Sequence, residues 1–254
     1  MHTFQSLQED LRNMNIQPTD TLVVHSATRY IGEVEGRADT IIDSLMDYFR
    51  EDGLLVFPTL TYHLRAGGDP VFDVQNTASI VGLLTEIFRK RPGVIRSWHP
   101  THSVAAYGKD AAGFCAGHEK FDTPAARQSP WGKLIDRKAK ILFIGTGICC
   151  NTFLHGVEEQ SGIRGVVTDE PEMLYSILPD GRKIEVPSRR HVGAHSHYYA
   201  KMAPFFARHG ILTCGKFGDA HCDLLDNAAT ISETVTPLLL KDEGFFTHDI
   251  PPAE

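Results

Sequence analysis

The residues in this chain best suited to moving a proton are His155 and Glu158, in the stretch KILFIGTGICCNTFLHGVEE from Lys140 to Glu159. If a helix begins at Asn151 or Thr152, both good N-caps, the two side chains share one helical face. A carboxylate there can hold one ring nitrogen of the imidazole and leave the other free to take a proton. The same spacing also serves ordinary surface pairs, so what surrounds the pair has to decide. Two other histidine sets invite a metal reading: His99 and His102 in WHPTHS, and His191, His195 and His197 in RRHVGAHSHYY. The standard zinc spacings HExxH and paired CxxC are absent. Cys149 and Cys150 are adjacent, poor geometry for two ligands of one tetrahedral ion, so no metal is expected. Either cysteine could act as a nucleophile, but no feature of the sequence brings its thiol to the histidine.

Positioning His155 requires a strand and a turn before it. Ile141 to Ile144 is a short, β-branched apolar run that reads as a buried strand. Gly145 and Gly147 break it, so His155 lies near the start of a helix that opens at a strand's carboxyl end, where open α/β sheets bind ligands. Asp20 to His25 reads as a first buried strand whose exit, Ser26-Ala27-Thr28, offers hydroxyl and N–H groups to an anion. Leu54 to Pro58 is another strand, and Val104 to Tyr107 another. Helical patterns cover residues 3 to 15, then Asp39 or Thr40 to Phe49, then Ala78 to Arg91 with Ile80, Leu83, Leu84 and Ile87 inward. Between them, Thr59 to Thr77 has no period and reads as a long functional loop. A short helix near Ala111 to His118 and another after Ser129-Pro130 follow. Downstream, Met173 to Leu178 and Lys183 to Val186 flank the turn Pro179-Asp180-Gly181-Arg182 as a hairpin. A helix ending at His209, a β pair at Ile211 to Lys216 and Ala220 to Leu225, and a last amphipathic helix from Asn227 or Thr230 complete the chain. The expected fold is α/β (α+β): one domain over 1–254, a central mixed sheet flanked by helices, with a C-terminal antiparallel hairpin and helix cap.

A chain of 254 residues can bury a substantial core. A hydrophobic share of 42% and a charged share of 22% are ordinary for a globular protein. The net charge of −7 argues against a nucleic-acid partner and suits a cationic small molecule. No run approaches the roughly 18 apolar residues of a membrane span, and the polar, acidic start MHTFQSLQEDLRNMNI does not resemble a signal peptide. Five cysteines without a CxxC pair fit reduced thiols. The expectation is a cytoplasmic protein with no membrane partner; oligomeric state is left open, with room for a homodimer.

Five segments in order resemble one family: HSATRYIG at 25–32, GLLVFPTLT at 53–61, PGVIRSWHPTHSVAAYG at 92–108, SPWGKL at 129–134 and ILFIGTGICCNTFLHGVEE at 141–159. Together with GKFGDAHCDLLD at 215–226 they are similar to the antibiotic N-acetyltransferases that modify the 3-amino group of aminoglycosides with acetyl-CoA. The resemblance implies that the NTxxHxxE motif, here Asn151 to Glu158, carries the active-site histidine, His155, and its carboxylate, Glu158. It implies that the HSS-type strand exit, here His25-Ser26-Ala27, and the RSxHP segment border acetyl-CoA, giving His25, Ser26, Thr28, Arg96 and Ser97 as coenzyme contacts. Residue 156 is glycine where the family usually has a larger side chain, which either loosens the His/Glu spacing or makes room for a different substrate.

The chemistry implied is direct transfer. His155 takes a proton from an acceptor amine, Glu158 orients the ring, and the nitrogen attacks the acetyl carbonyl while N–H or hydroxyl donors stabilise the oxyanion. The acceptor is an aminoglycoside, a related amino sugar or another small amine. A zinc-dependent hydrolase and a non-catalytic coenzyme-A-binding protein are the rival classes.

Overall fold

The computed structural model describes residues 1–252. Its first helix, α1 (Phe4–Asn13), starts from a capping box in which Thr3 and Ser6 exchange side-chain and backbone hydrogen bonds. β1 (Thr21–Ser26), α2 (Arg37–Tyr48), β2 (Leu54–Pro58), β3 (Val71–Asp73), α3 (Leu83–Phe88), β4 (Ile95–Arg96) and β5 (Val104–Gly108) follow. Next come α4 (Ala111–Cys115), α5 (Pro130–Asp136), β6 (Lys140–Ile144), α6 (Thr152–Ser161), and the hairpin β7 (Glu172–Ile177) and β8 (Lys183–Ser188). A 3-10 segment His195–Lys201 leads into α7 (Met202–Arg208), β9 (Leu212–Phe217), β10 (Ala220–Leu225) and α8 (Ala228–Lys241).

Seven strands form one mixed sheet in the order β4-β5-β2-β1-β6-β10-β9. β1 is parallel to both neighbours, β2 and β6, so the carboxyl ends of these three strands meet at one edge of the sheet. Alternate residues of each strand enter opposite cores. Leu142 and Ile144 of β6 pack with α1, α2 and α3, whereas Ile141 and Phe143 pack with α4 to α8. Helices on both faces explain why β1, β2 and β6 read as unbroken apolar runs. The expected hairpin at the end of the chain is the edge pair of this sheet, with β10 antiparallel to β6.

The second sheet, β3-β7-β8, departs from the sequence reading. The stretch after Thr59 is not a plain loop: Val71 to Asp73 pairs in parallel with Tyr175 to Ile177, about a hundred residues away. The helix expected over 78–91 is also shorter, α3 alone. Gly82 at φ +125° interrupts the chain before it, and Ile80 and Leu83, expected inward, are 43% and 55% exposed.

Candidate active site

A cleft of about 550 Å³ opens where β1, β2 and β6 end, lined by His25 and Ser26, by Pro58 and by the turn after β6. That turn needs its glycine. Gly145 lies at φ +63°, and a Cβ there would sit 2.8 Å from Tyr30 Cβ and 3.1 Å from the Ala27 carbonyl. After it, Asn151 caps α6, its side chain accepting from Phe153 N–H at 3.1 Å. Asn151, Thr152 and His155 therefore face the cleft from the first turns of α6.

His155 is held from behind. Its Nδ1 is 2.6 Å from the Tyr199 hydroxyl and 3.2 Å from Glu158 Oε2. The same hydroxyl donates to Glu158 Oε2, and Glu158 Oε1 accepts from His195 Nδ1 at 2.6 Å. Since the single tyrosine proton goes to the carboxylate, the tyrosine oxygen accepts the Nδ1–H of His155. Nε2 of His155 then carries the lone pair. Burial opposes charging Glu158, but hydrogen bonds from His155, His195 and Tyr199 outweigh it and bring its carboxyl down to about 2. Burial and the Glu158 charge push the Tyr199 hydroxyl well up, so it stays a donor. Burial lowers His155 despite Glu158, keeping the ring neutral. The arrangement is a desolvated neutral imidazole with a fixed tautomer, chemically able to accept a proton at Nε2.

A second imidazole lies against the first. The His191 ring stacks on His155 with centroids 4.4 Å apart and planes 20° apart, and His191 Nε2 is 2.6 Å from Glu159 Oε1. His102 meets His191 edge-on at 4.9 Å. Among the described residues the cleft is lined by five histidines and one arginine, with no carboxylate.

The sequence-based site residues separate into two groups. His155, His25 and Ser26 line the cleft, with Glu158 directly behind His155. His25 stacks on Phe143 at 5.1 Å, and burial lowers it to about 3. Arg96 and Ser97 lie in the interior instead. The Arg96 guanidinium donates to Thr59 and Ser103 hydroxyls and to the carbonyls of Thr59, Val74 and Thr77. Ser97 Oγ bonds His118 Nδ1 at 2.9 Å and accepts from Val104 N–H. Thr28 opens a 3-10 turn outside the cleft lining. Arg96 and Ser97 thus satisfy their polar groups within the protein and not at the cleft.

Other candidates resolve similarly. His195 takes part through Glu158, while His197 is exposed. His99 is buried against His118 with ring centroids 4.7 Å apart. Cys149 and Cys150 sit at the cleft rim, and burial raises the Cys149 thiol, which makes it a weak nucleophile. Among the described residues, the one set of three His, Cys or acidic donors spaced to share an ion is Cys214, His221 and Asp223, on the β9–β10 hairpin. Gly156 points at Ala125 and Gln160, with a Cβ there 3.4 and 3.3 Å from them; it makes no room in the cleft, and α6 runs unbroken past it. Sequence reasoning missed Tyr199, Glu159 and the role of His191. The only signal was the aromatic and histidine density of RRHVGAHSHYY.

A family profile described as Aminoglycoside 3-N-acetyltransferase matches residues 23–238. The chain belongs to the aminoglycoside 3-N-acetyltransferase family. It is thus an N-acetyltransferase, and its mixed α/β fold is that of the family's solved structures. The SPbeta prophage-derived aminoglycoside N(3')-acetyltransferase-like protein YokD of Bacillus subtilis is 26% identical over 242 residues, 87% of each chain. Aminoglycoside N(3)-acetyltransferase VII of Streptomyces paromomycinus is 29% identical over 198 residues, 70% of this chain and 67% of the relative. Among solved structures, AAC-IIIb in a binary complex with CoASH superposes with a TM-score of 0.82 at 26% identity, covering 94% of this chain and 96% of that one. No helix among the described residues is long and apolar enough to cross a membrane.

Proposed function

We propose that this chain transfers the acetyl group of acetyl-CoA to an amino group of an aminoglycoside or related amino sugar, with His155 as the general base. The observation that carries this reading is the buried Glu158–Tyr199–His155 chain, which leaves one imidazole nitrogen unprotonated beside the cleft. Acetyl-CoA, the family's acyl donor, supplies a thioester carbonyl open to attack. His155 Nε2 removes the proton from the acceptor nitrogen as that nitrogen bonds to the carbonyl carbon. Glu158 balances the resulting imidazolium through Tyr199. Polar groups at the β1 exit and the start of α6, from Ser26, Asn151 and Thr152, are the donors near the developing oxyanion. His25 and Ser26 are the expected coenzyme contacts that line this cleft. No step uses a cysteine.

One observation supports a narrower acceptor. A polycation is recognised best by several carboxylates, and none lines the described cleft. An amine with a single positive charge therefore belongs in the same trial. The test is a thiol-release assay with acetyl-CoA against aminoglycosides, amino sugars and simple amines. His155→Ala should lower kcat by roughly 10²- to 10⁴-fold, while a Cys149→Ala, Cys150→Ala double variant keeps its activity. An unaffected His155→Ala, or a double variant as inactive as His155→Ala, overturns the assignment.

A further inference from the structure

The β9–β10 hairpin carries three chemically different donors on one face, and the acetyl transfer described above uses none of them. β9 is an edge of the seven-stranded sheet. In its antiparallel ladder with β10, Cys214 lies directly across from Asp223. His221, two positions before Asp223, stands on the same side of the sheet. Asp223 Oδ1 is 3.1 Å from His221 Nε2 and 3.7 Å from Cys214 Sγ, and the three donor atoms all lie within 4.8 Å of one another. A tetrahedral zinc ion with bonds of about 2.0 to 2.3 Å holds its ligands roughly 3.3 to 3.6 Å apart. Two of the three separations are therefore already close to what the ion needs. The third, between thiol and imidazole, closes by turning the His221 ring, which is 67% exposed and free to move. A solvated histidine–aspartate pair would explain two of these residues, but it would leave an open thiol aimed at the same carboxylate oxygen.

We propose that Cys214, His221 and Asp223 form a zinc site on this hairpin, with water in the fourth position. The donor set makes the choice of ion: a thiolate and an imidazole do not suit magnesium or calcium, which take oxygen ligands. As the zinc–sulfur bond forms, the thiol of Cys214 gives its proton to solvent. Thiolate and carboxylate then cancel the two positive charges of the ion. Lys216, opposite His221 on the same face, meets a neutral centre and keeps its ammonium in water at the end of a flexible chain. The three residues lie outside the cleft lining, so the ion ties an edge strand to its neighbour and takes no part in acetyl transfer. The site stands or falls independently of the reading of His155.

The test is metal binding by the whole chain after treatment with a chelator. Zinc titrated in competition with a chromophoric chelator should bind at one equivalent per chain, with micromolar or tighter affinity. Cobalt(II) in its place should give the visible bands of a tetrahedral ion and a thiolate charge-transfer band. Cys214→Ser should abolish the charge-transfer band, and His221→Ala and Asp223→Asn should each weaken zinc binding by roughly 100-fold or more. The Cys149→Ala, Cys150→Ala double variant, which removes the other exposed thiols close to each other, should bind as wild type does. Zinc should raise the thermal unfolding midpoint of the wild type and leave that of Cys214→Ser unchanged. The three substitutions fall on the sheet surface, and circular dichroism confirms that each variant is folded before metal is added. A wild-type chain that binds no zinc, or zinc binding that survives all three hairpin substitutions or is lost with Cys149 and Cys150, overturns the proposal.

Discussion

At the scale of single residues, Glu158 is the group on which the site depends. It is fully buried and receives hydrogen bonds from Tyr199 and His195 while lying 3.2 Å from His155. Removing one partner of a buried ionic network costs about 3 to 5 kcal/mol, so Glu158→Gln should lower unfolding stability by that order in urea titrations at neutral pH. The carboxyl is depressed to about 2 from 4.5. Its contribution is complete above the unfolded value and is lost as the pH falls through the folded one. His25 acts in the same direction at higher pH. Burial brings it from 6.5 to about 3, and between those values only the unfolded chain binds the proton. Stability therefore falls with falling pH in that window, by up to about 1.4 kcal/mol per unit for this one group. His25→Phe should reduce the slope of unfolding free energy against pH by one proton there; an unchanged slope would show that His25 titrates normally in the folded protein. His155 and Glu158 were legible because local spacing encodes them. Tyr199 lies 44 positions beyond His155, and no local pattern points to it.

At the scale of elements, α6 turns a sequence motif into a geometry. Its start is fixed by the Asn151 side chain on Phe153 N–H, and this sets which residues of the first turns face the cleft. Asn151→Ala should cost about 1 kcal/mol of stability and, on the proposed mechanism, lower kcat more than it raises KM, because it loosens the turn that carries His155 and removes a donor from the cleft wall. Equal changes in both would argue against that reading. The element boundaries that the sequence predicted well are β2 at Leu54–Pro58, buried throughout and ended by its proline, and β10 at Ala220–Leu225, which follows the Gly218 turn and alternates buried residues with His221 and Asp223. The helix over 78–91 was overestimated because apolar periodicity persisted through residues that Gly82 takes out of helical conformation.

For the molecule as a whole, the connection between the two sheets is the feature that the sequence concealed. Parallel pairing of β3 with β7 joins segments a hundred residues apart, and neither has a pattern that names its partner. Two arginines fasten the long segment after β2. Arg190 reaches Glu172 and the carbonyls of Tyr62 and Leu64, while Arg96 gathers Thr59, Val74, Thr77 and Ser103 beneath it and covers the Phe72 ring at 4.6 Å. Arg96→Ala leaves several buried acceptors without a donor, so it should destabilise by about 3 kcal/mol or more in urea unfolding. In the fraction that folds, the KM for acetyl-CoA should move less than about threefold. A large rise in that KM with intact stability would return Arg96 to the coenzyme site.

The distance along the chain between His155 and its anchor has a consequence for synthesis. A polypeptide synthesised as far as residue 161 already contains the segments of β1, β2, β6 and α6, yet the hydroxyl that fixes the imidazole belongs to a tyrosine not yet translated. The ribosome must add some forty further residues before the ring is locked in its working tautomer. Messages cut short anywhere in that interval encode a product with most of the cleft-lining residues and an imidazole without its anchor.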